Sequence, residues 1–337
     1  LGEEENNKRK NGMDTKNMIS VGLDAGMGAI KMWSDKGGLD MLSQVATNGG
    51  GHLDGMIGLK AAVRPLMIET ADGEFYVGER AHNYGRRVEN MNFDRFGGSP
   101  EMRVMMYGTW TRYIQQYGNF DAPLSIMVGL PLQTMGESLK ESRLQIRRWL
   151  MGSHRWKADG VEYAVEVGKV RWNSQPVGAL FDYVMDFDGN PIEGHERALR
   201  DETAILSVGF NTLELMVVQN QTVNESLTVG VKLGVRRLLD LISKKYSLGE
   251  LDVQLRSGNL KYKEKLPIWA SEVNGAIEDA WGEVLGRFAG VLVVGGGALL
   301  LGPQLNLVAD GVNKAVLSDN PVQSIARGLY KLDLKNK

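Results

Sequence analysis

Residues Asp24-Ala-Gly-Met-Gly-Ala-Ile-Lys31 decide how this chain is read. They follow Met18-Ile-Ser-Val-Gly-Leu23, a short alternating run that reads as a strand delivering a carboxylate into a turn. Beyond the turn the chain re-enters a strand that reaches Trp33, so the segment is a β-hairpin built around glycines. Glycine at such a turn lets backbone NH groups approach an anion, because no Cβ stands in the way. In this pattern Asp24 would hold Mg2+ through water, Gly26, Met27 and Gly28 would wrap a phosphate, and Lys31 would supply a cation.

The same strand, glycine turn, strand rhythm returns at Ala204-Ile-Leu-Ser207-Val-Gly209-Phe-Asn211-Thr212-Leu-Glu214-Leu-Met-Val-Val218. Aligning Asp24-x-Gly26 with Ser207-x-Gly209 places Lys31 opposite Glu214 without a gap, and a duplicated domain is the economical explanation. Gly209, Phe210, Asn211 and Thr212 become the second set of phosphate contacts, although Ser207 stands where the repeat predicts an acid. A third turn, Gly295-Gly296-Gly297-Ala298, follows the apolar strand Val291 to Val294 and opens a helix. It lacks the third glycine of a dinucleotide fingerprint and an acid on a following strand, so adenine and ribose packing is the preferred reading. Turns spread over the whole chain are better explained by one shared ligand than by separate ones.

A chain of 337 residues suits two domains of roughly 150 residues each, and two domains imply a cleft. The expected division is a disordered tail over 1–17, with Met13 or Met18 as the natural start, a first α/β domain over 18–200 and a second over 201–318. A loop-rich insertion containing Gly49-Gly50-Gly51 is expected over 36–90, and a second insertion over 228–288. Helices are expected at 100–117 behind Ser99-Pro100, at 136–150, from about 177, at 228–245 and at 268–288, with a hydrophilic stretch between the last two. A final helix follows Asn320-Pro321. The methionine stripe near Met102, Met105 and Met106 reads as core packing.

Composition removes several function classes. With a formal net charge of -2 there is no global basic field, so direct nucleic-acid binding is not expected. The absence of cysteine excludes disulfides, thiolate catalysis and Cys-ligated zinc, and the four scattered histidines form no HExxH. No apolar stretch reaches a membrane span and no signal segment leads the chain, so a cytoplasmic protein is expected. Neither a GxxxxGK[ST] loop nor a GxSxG elbow occurs.

With these residues in hand the chain resembles the actin, Hsp70 and sugar-kinase superfamily, and within it the prokaryotic actin-like proteins, including the plasmid-partition and archaeal actin-like ATPases. The resemblance is carried by Asp24 to Lys31, Ser207 to Glu214 and Val293 to Ala298 in that order. It is also carried by Phe75-Tyr-Val-Gly-Glu-Arg-Ala81, Val128-Gly-Leu-Pro131, Ser174-Gln-Pro-Val-Gly-Ala179 and Asn320-Pro-Val-Gln-Ser-Ile-Ala-Arg-Gly328.

It implies an α/β, actin-like ATPase fold: two duplicated ribonuclease-H-like domains around a nucleotide cleft, with residues 319–337 returning to the first domain. It implies binding of ATP/ADP, or GTP, with Mg2+, head-to-tail self-assembly into filaments, and an adaptor protein where the cargo is DNA. Gln175 falls where the family orients the attacking water. Asp24, Gln175 and Ser207 are then the catalytic set. Ser207 replaces the usual Asp and Glu214 a second one, which implies slow hydrolysis. A small-molecule kinase or non-polymerising switch on the same fold is the competing expectation.

Overall fold

The computed structural model describes residues 17–48, 64–88, 96–242 and 245–337. Gly49 to Gly51, His52 and nearly all of the expected tail lie outside the described residues. The chain begins with strands β1 (Ile19–Ala25), β2 (Ala29–Ser34), β3 (Gly37–Leu42), β4 (Val45–Asn48), β5 (Leu66–Thr70), β6 (Gly73–Val77) and β7 (Gly85–Val88). Helix α1 (Pro100–Tyr117), β8 (Leu124–Leu130), α2 (Lys140–Leu150), β9 (Gly152–Ala158), β10 (Val161–Ser174) and α3 (Gln175–Val184) follow. The second half opens with β11 (Thr203–Val208), β12 (Leu213–Gln219), β13 (Thr222–Val223), β14 (Val229–Val231), α4 (Val235–Ile242), α5 (Leu248–Arg256) and α6 (Leu266–Trp281). It ends with β15 (Gly290–Val294), α7 (Gly296–Leu301), β16 (Val308–Ala309), β17 (Val312–Asn313), β18 (Ala315–Leu317) and α8 (Ser324–Lys335).

The strands form two large mixed sheets. In the first, the order is β3-β2-β1-β8-β10 and then β9-β5-β6-β4-β7; in the second it is β13-β12-β11-β15-β18, with β14 also on β12. In each, a leading strand pairs antiparallel with its hairpin partner on one side and parallel with a later strand on the other. The gapless alignment of the two repeats is a real register: Asp24 faces Lys31 across β1 and β2, and Ser207 faces Glu214 across β11 and β12. Strands covered on both faces need unbroken apolar sequence, and β8 (LSIMVGL) is buried at every position.

Local chemistry sets the helix ends. Ser99 Oγ accepts from Met102 N and Pro100 occupies the first turn, where its missing NH costs nothing, so α1 starts where expected. Its Met102, Met105, Met106, Trp110 and Tyr113 all enter the core of the first half. The expected helix over 228–245 is shorter, because Val229–Val231 pairs with Leu213–Leu215 as an extra strand and only Val235–Ile242 is helical. In the hydrophilic stretch lies the unexpected α5, started by a capping box in which Ser247 and Glu250 exchange hydrogen bonds. The interval 36–90, expected to be loop-rich, is largely strand where described. Its β3 belongs to the central hairpin, and β5 joins the rest to the sheet by pairing with β9.

Helix α8 fastens the first half together. It packs on β1 and α3 at backbone contact, where glycine has a steric reason at two positions. A Cβ on Gly22 would lie 1.9 Å from Ala326 O, and one on Gly328 would lie 1.8 Å from Gly178 O. Arg327 donates to both oxygens of Asp182 at 2.6 Å, Lys331 Nζ lies 2.9 Å from Asp182, and the fully buried Asp333 accepts from Ser20 at 2.8 Å and Ser125 at 3.1 Å. Buried charges are tolerated only when paired in this way.

Substituting Gly22→Ala is expected to force α8 off β1 and to cost about 3 kcal/mol, the upper range for overpacking a core. Urea unfolding checks this: the midpoint should fall with the slope retained, and an unchanged midpoint would contradict the close packing.

Candidate functional site

The first glycine turn is held from behind by Ser43, whose backbone NH donates to Gly28 O at 3.0 Å and whose hydroxyl donates to Gly26 O at 2.7 Å. The second turn is held by the start of α4: Val235 N donates to Gly209 O, Arg236 N to Phe210 O and Gly234 N to Asn211 O, at 3.0, 2.8 and 3.2 Å. Carbonyls taken up on the protein side turn these loops into fixed features. The two turns also meet, because Phe210 lies over Gly28 so closely that a Cβ there would fall 2.6 Å from the ring. Met27 packs against the core of the first half, and Thr212 O accepts from Gly209 N at 2.9 Å.

Asp24, next to last in β1, has almost no solvent exposure, and its two oxygens have separate partners. Lys31 Nζ sits 2.7 Å from Oδ2, and Gln175 Nε2 donates to Oδ1 at 2.7 Å. Gln175 is the first residue of α3, since β10 runs beside β8 until Ser174 pairs with Leu130 and Pro176 then favours a helical start. The structure thus gathers Asp24, Lys31 and Gln175 at one point, with Lys31 engaged by the carboxylate.

On the facing hairpin Ser207 is buried at the end of β11, beside Glu214 on β12. Glu214 Oε1 accepts from Leu132 N at 2.8 Å, which ties the second hairpin to the loop after β8, and Gln133 Nε2 donates to Gly230 O at 2.8 Å beside it. Burial, opposed by the Leu132 hydrogen bond and reinforced by the charge of Asp24, pushes the Glu214 carboxyl up to about 8. This cross-connection escaped the sequence reading, because the only signal was an acid in a strand register.

The glycines of the third turn differ in their surroundings. A Cβ on Gly295 would lie 2.3 Å from Val208 O, and one on Gly297 would lie 2.4 Å from Val208 Cγ1, so both glycines are required by packing on β11. Gly296 has nothing within 4 Å and is the member with open space, while Ala298 is buried in the core of the second half. The turn stands beside the second hairpin because β15 pairs with β11, Val294 opposite Ser207.

Among the described residues, two buried oxygens here, Asn211 Oδ1 and Glu214 Oε2, have no hydrogen-bond partner, a condition that a polar guest would relieve. Among the described residues no group of three or more His, Cys, Asp and Glu could hold a metal ion. A lone carboxylate such as Asp24 nevertheless suits Mg2+, which is commonly held by one or two carboxylates together with substrate phosphates. The residues therefore fit a phosphate ligand that brings most of the metal's oxygen donors with it.

Residues 22–178 match the family described as the N-terminal domain of actin-like proteins. The chain has the actin-like fold, and solved structures resemble it over its length. A 15-stranded ParM filament from Clostridium botulinum is 18% identical, with 94% of this chain and 99% of that chain covered at a TM-score of 0.73. The apo ParM of pSK41 is 19% identical, covering 95% and 98% at 0.69. An archaeal actin homologue in complex with ADP is 16% identical, covering 95% and 100% at 0.69. At such identities the likeness speaks for the fold. No curated protein sequence matches the chain. No described helix is long and apolar enough to cross a membrane.

Because the folded state raises Glu214 from its ordinary 4.5 to about 8, this group's contribution to stability is complete at acid pH and is lost as pH climbs through that interval. Glu214→Gln keeps the acceptor for Leu132 and removes the titration. Thermal unfolding should therefore show the variant gaining on the parent by about 4 kcal/mol between pH 5 and pH 9. A difference that does not change with pH would contradict the raised carboxyl.

Proposed function

We propose that the chain binds ATP or GTP with Mg2+ between its two halves, assembles head to tail into filaments, and hydrolyses the nucleotide slowly in a cytoskeletal or DNA-segregation role. The observation that carries this reading is the convergence of two register-matched hairpin turns, Gly26 to Gly28 and Gly209 to Thr212, on the Asp24, Lys31 and Gln175 cluster. The ParM filament and the ADP-bound archaeal homologue among the similar structures support it.

In this reading the halves are two domains, 18–200 and 201–318, with 319–337 joined to the first. The turn amides and Lys31 receive phosphate, Asp24 is the residue that would hold Mg2+, and Gly296 marks the space for the nucleoside. Mg2+, when bound, neutralises charge on the transferring phosphoryl group. Gln175, fixed by its amide nitrogen on Asp24, orients the attacking water with its other end. Ser207 offers a hydroxyl where a carboxylate would contribute far more to charge stabilisation, so turnover is slow. Repeated head-to-tail contact gives open filaments because the two surfaces differ and the rotation need not close. The small net charge makes an adaptor protein the reader of any DNA cargo, and the work is cytoplasmic.

Pelleting and light scattering of the purified protein with Mg2+ and each nucleotide, with phosphate release followed in the same tube, test this. Polymer should form only with a triphosphate, Gln175→Ala should slow phosphate release by about 10²-fold while nucleotide still binds, and Ser207→Asp should speed it. Binding without polymer under any nucleotide would overturn the filament reading in favour of a nucleotide-gated switch.

A further inference from the structure

At the outer end of the cleft the two halves touch a second time, through elements the site itself does not use. Arg87, on β7, reaches Glu250, on α5, with Nη1 3.3 Å from Oε2 and Nη2 3.1 Å from Oε1, a bidentate pair between residues 163 positions apart in sequence. Beside it Gln44 Nε2 donates to Gly249 O at 3.3 Å. The His82 ring approaches Gly249 so closely that a Cβ there would lie 2.5 Å from its Nδ1.

Each partner of the ion pair is fixed in advance by its own half. Arg87 Nε donates to His82 O at 3.1 Å, and Glu250 Oε2 accepts from both Ser247 N and Ser247 Oγ at 2.8 Å within the α5 capping box. The Ser247 hydrogen bonds, with Arg87 behind them, hold the Glu250 carboxyl down at about 2, so the anion is present throughout the physiological range. The two side chains remain 33% and 37% exposed, which leaves the pair open to screening by salt. Beneath these contacts lies a cavity of about 50 Å³ lined by Met27, Gly28, Phe210, Asn211, Arg236 and Gly249. It is far smaller than the space a drug-sized ligand fills.

We propose that Arg87 and Glu250 form a releasable latch across the mouth of the cleft, and that opening it controls passage to the two glycine turns. A pair whose members are each held by their own backbone re-forms with little ordering cost, and its partial exposure keeps it weak enough to break. Gly249 is part of the device, since any side chain there would hold the mouth ajar against His82. The latch joins the halves whether or not a nucleotide is their ligand; only its effect on exchange rests on the function proposed above.

The absence of natural cysteine makes a direct test simple. Spin labels on Arg86→Cys and Ser257→Cys, both exposed and on opposite sides of the contact, report the width of the mouth by pulsed electron resonance. The expected result is a narrow distance distribution in the labelled parent at low salt that lengthens and broadens in 1 M NaCl and in Arg87→Gln, which leaves the capping box intact. Glu250→Gln and Gly249→Val should do the same. An unchanged distribution in Arg87→Gln and in high salt overturns the latch. A fluorescent ADP analogue, chased from the same proteins, should leave roughly two- to fivefold faster from Arg87→Gln. Widening without analogue binding supports the latch and counts against the nucleotide reading, whereas binding with unchanged distance and release counts against the latch alone.

Discussion

The carboxylate of Asp24 is withdrawn from water at the end of a central strand, and the first half of the molecule is arranged around that placement. A buried ion needs partners of fixed geometry, and neither partner here is local to the strand. Lys31 reaches it only because β1 and β2 pair in a register that sets residues 24 and 31 opposite one another. Gln175 reaches it only because β8 and β10 carry the end of β10 to the same level and α3 begins there. Helix α8, locked to α3 through Asp182 and to β1 by glycine contact, keeps those two elements from sliding apart.

The duplication makes the contrast between the hairpins informative. One ladder position pairs a carboxylate with an ammonium group; its counterpart pairs a hydroxyl with a carboxyl whose proton persists toward pH 8. Neither wall therefore presents an unbalanced charge at neutral pH. The turns add backbone dipoles to this balanced pair of walls, and they are held in place by Ser43 on one side and by the first NH groups of α4 on the other. An arrangement of this kind favours a ligand that carries its own counter-ion.

The repeat itself was legible from residue order alone, because hairpin strands with a glycine turn leave a pattern that survives divergence, and the gapless match of 24–31 with 207–214 proved to be a match of strand registers. Helix α1 was legible for a similar reason, since Ser99-Pro100 and the methionine periodicity agree. The region after β12 was misread because Val229 to Val231 sits close to a true amphipathic run, and only pairing with β12 tells strand from helix there. Helix α5 did leave a signal, Ser247 with Glu250 three residues on, obscured by the polar composition around it. The cross-cleft hydrogen bond of Gln44 left none, and that of Glu214 only an acid in a strand register. They join residues far apart in sequence, and their donors or acceptors are backbone atoms, which every residue possesses.

Strand β10 spans both parts of the first sheet. Its early residues pair with β9 and its late ones with β8, and the register slips once, between Val167 and Lys169, leaving Gly168 as an extra residue. Fourteen residues of extended chain measure about 45 Å, and a strand hydrogen-bonded on either flank resists bending everywhere except at such a bulge. The strand is therefore one continuous arm with a kink near its middle. One end belongs to the outer part of the sheet that carries β7, and the other stops one residue before Gln175, whose amide grips Asp24. Mechanical load borne by the periphery of the molecule has a covalent route to the buried charge of the first turn.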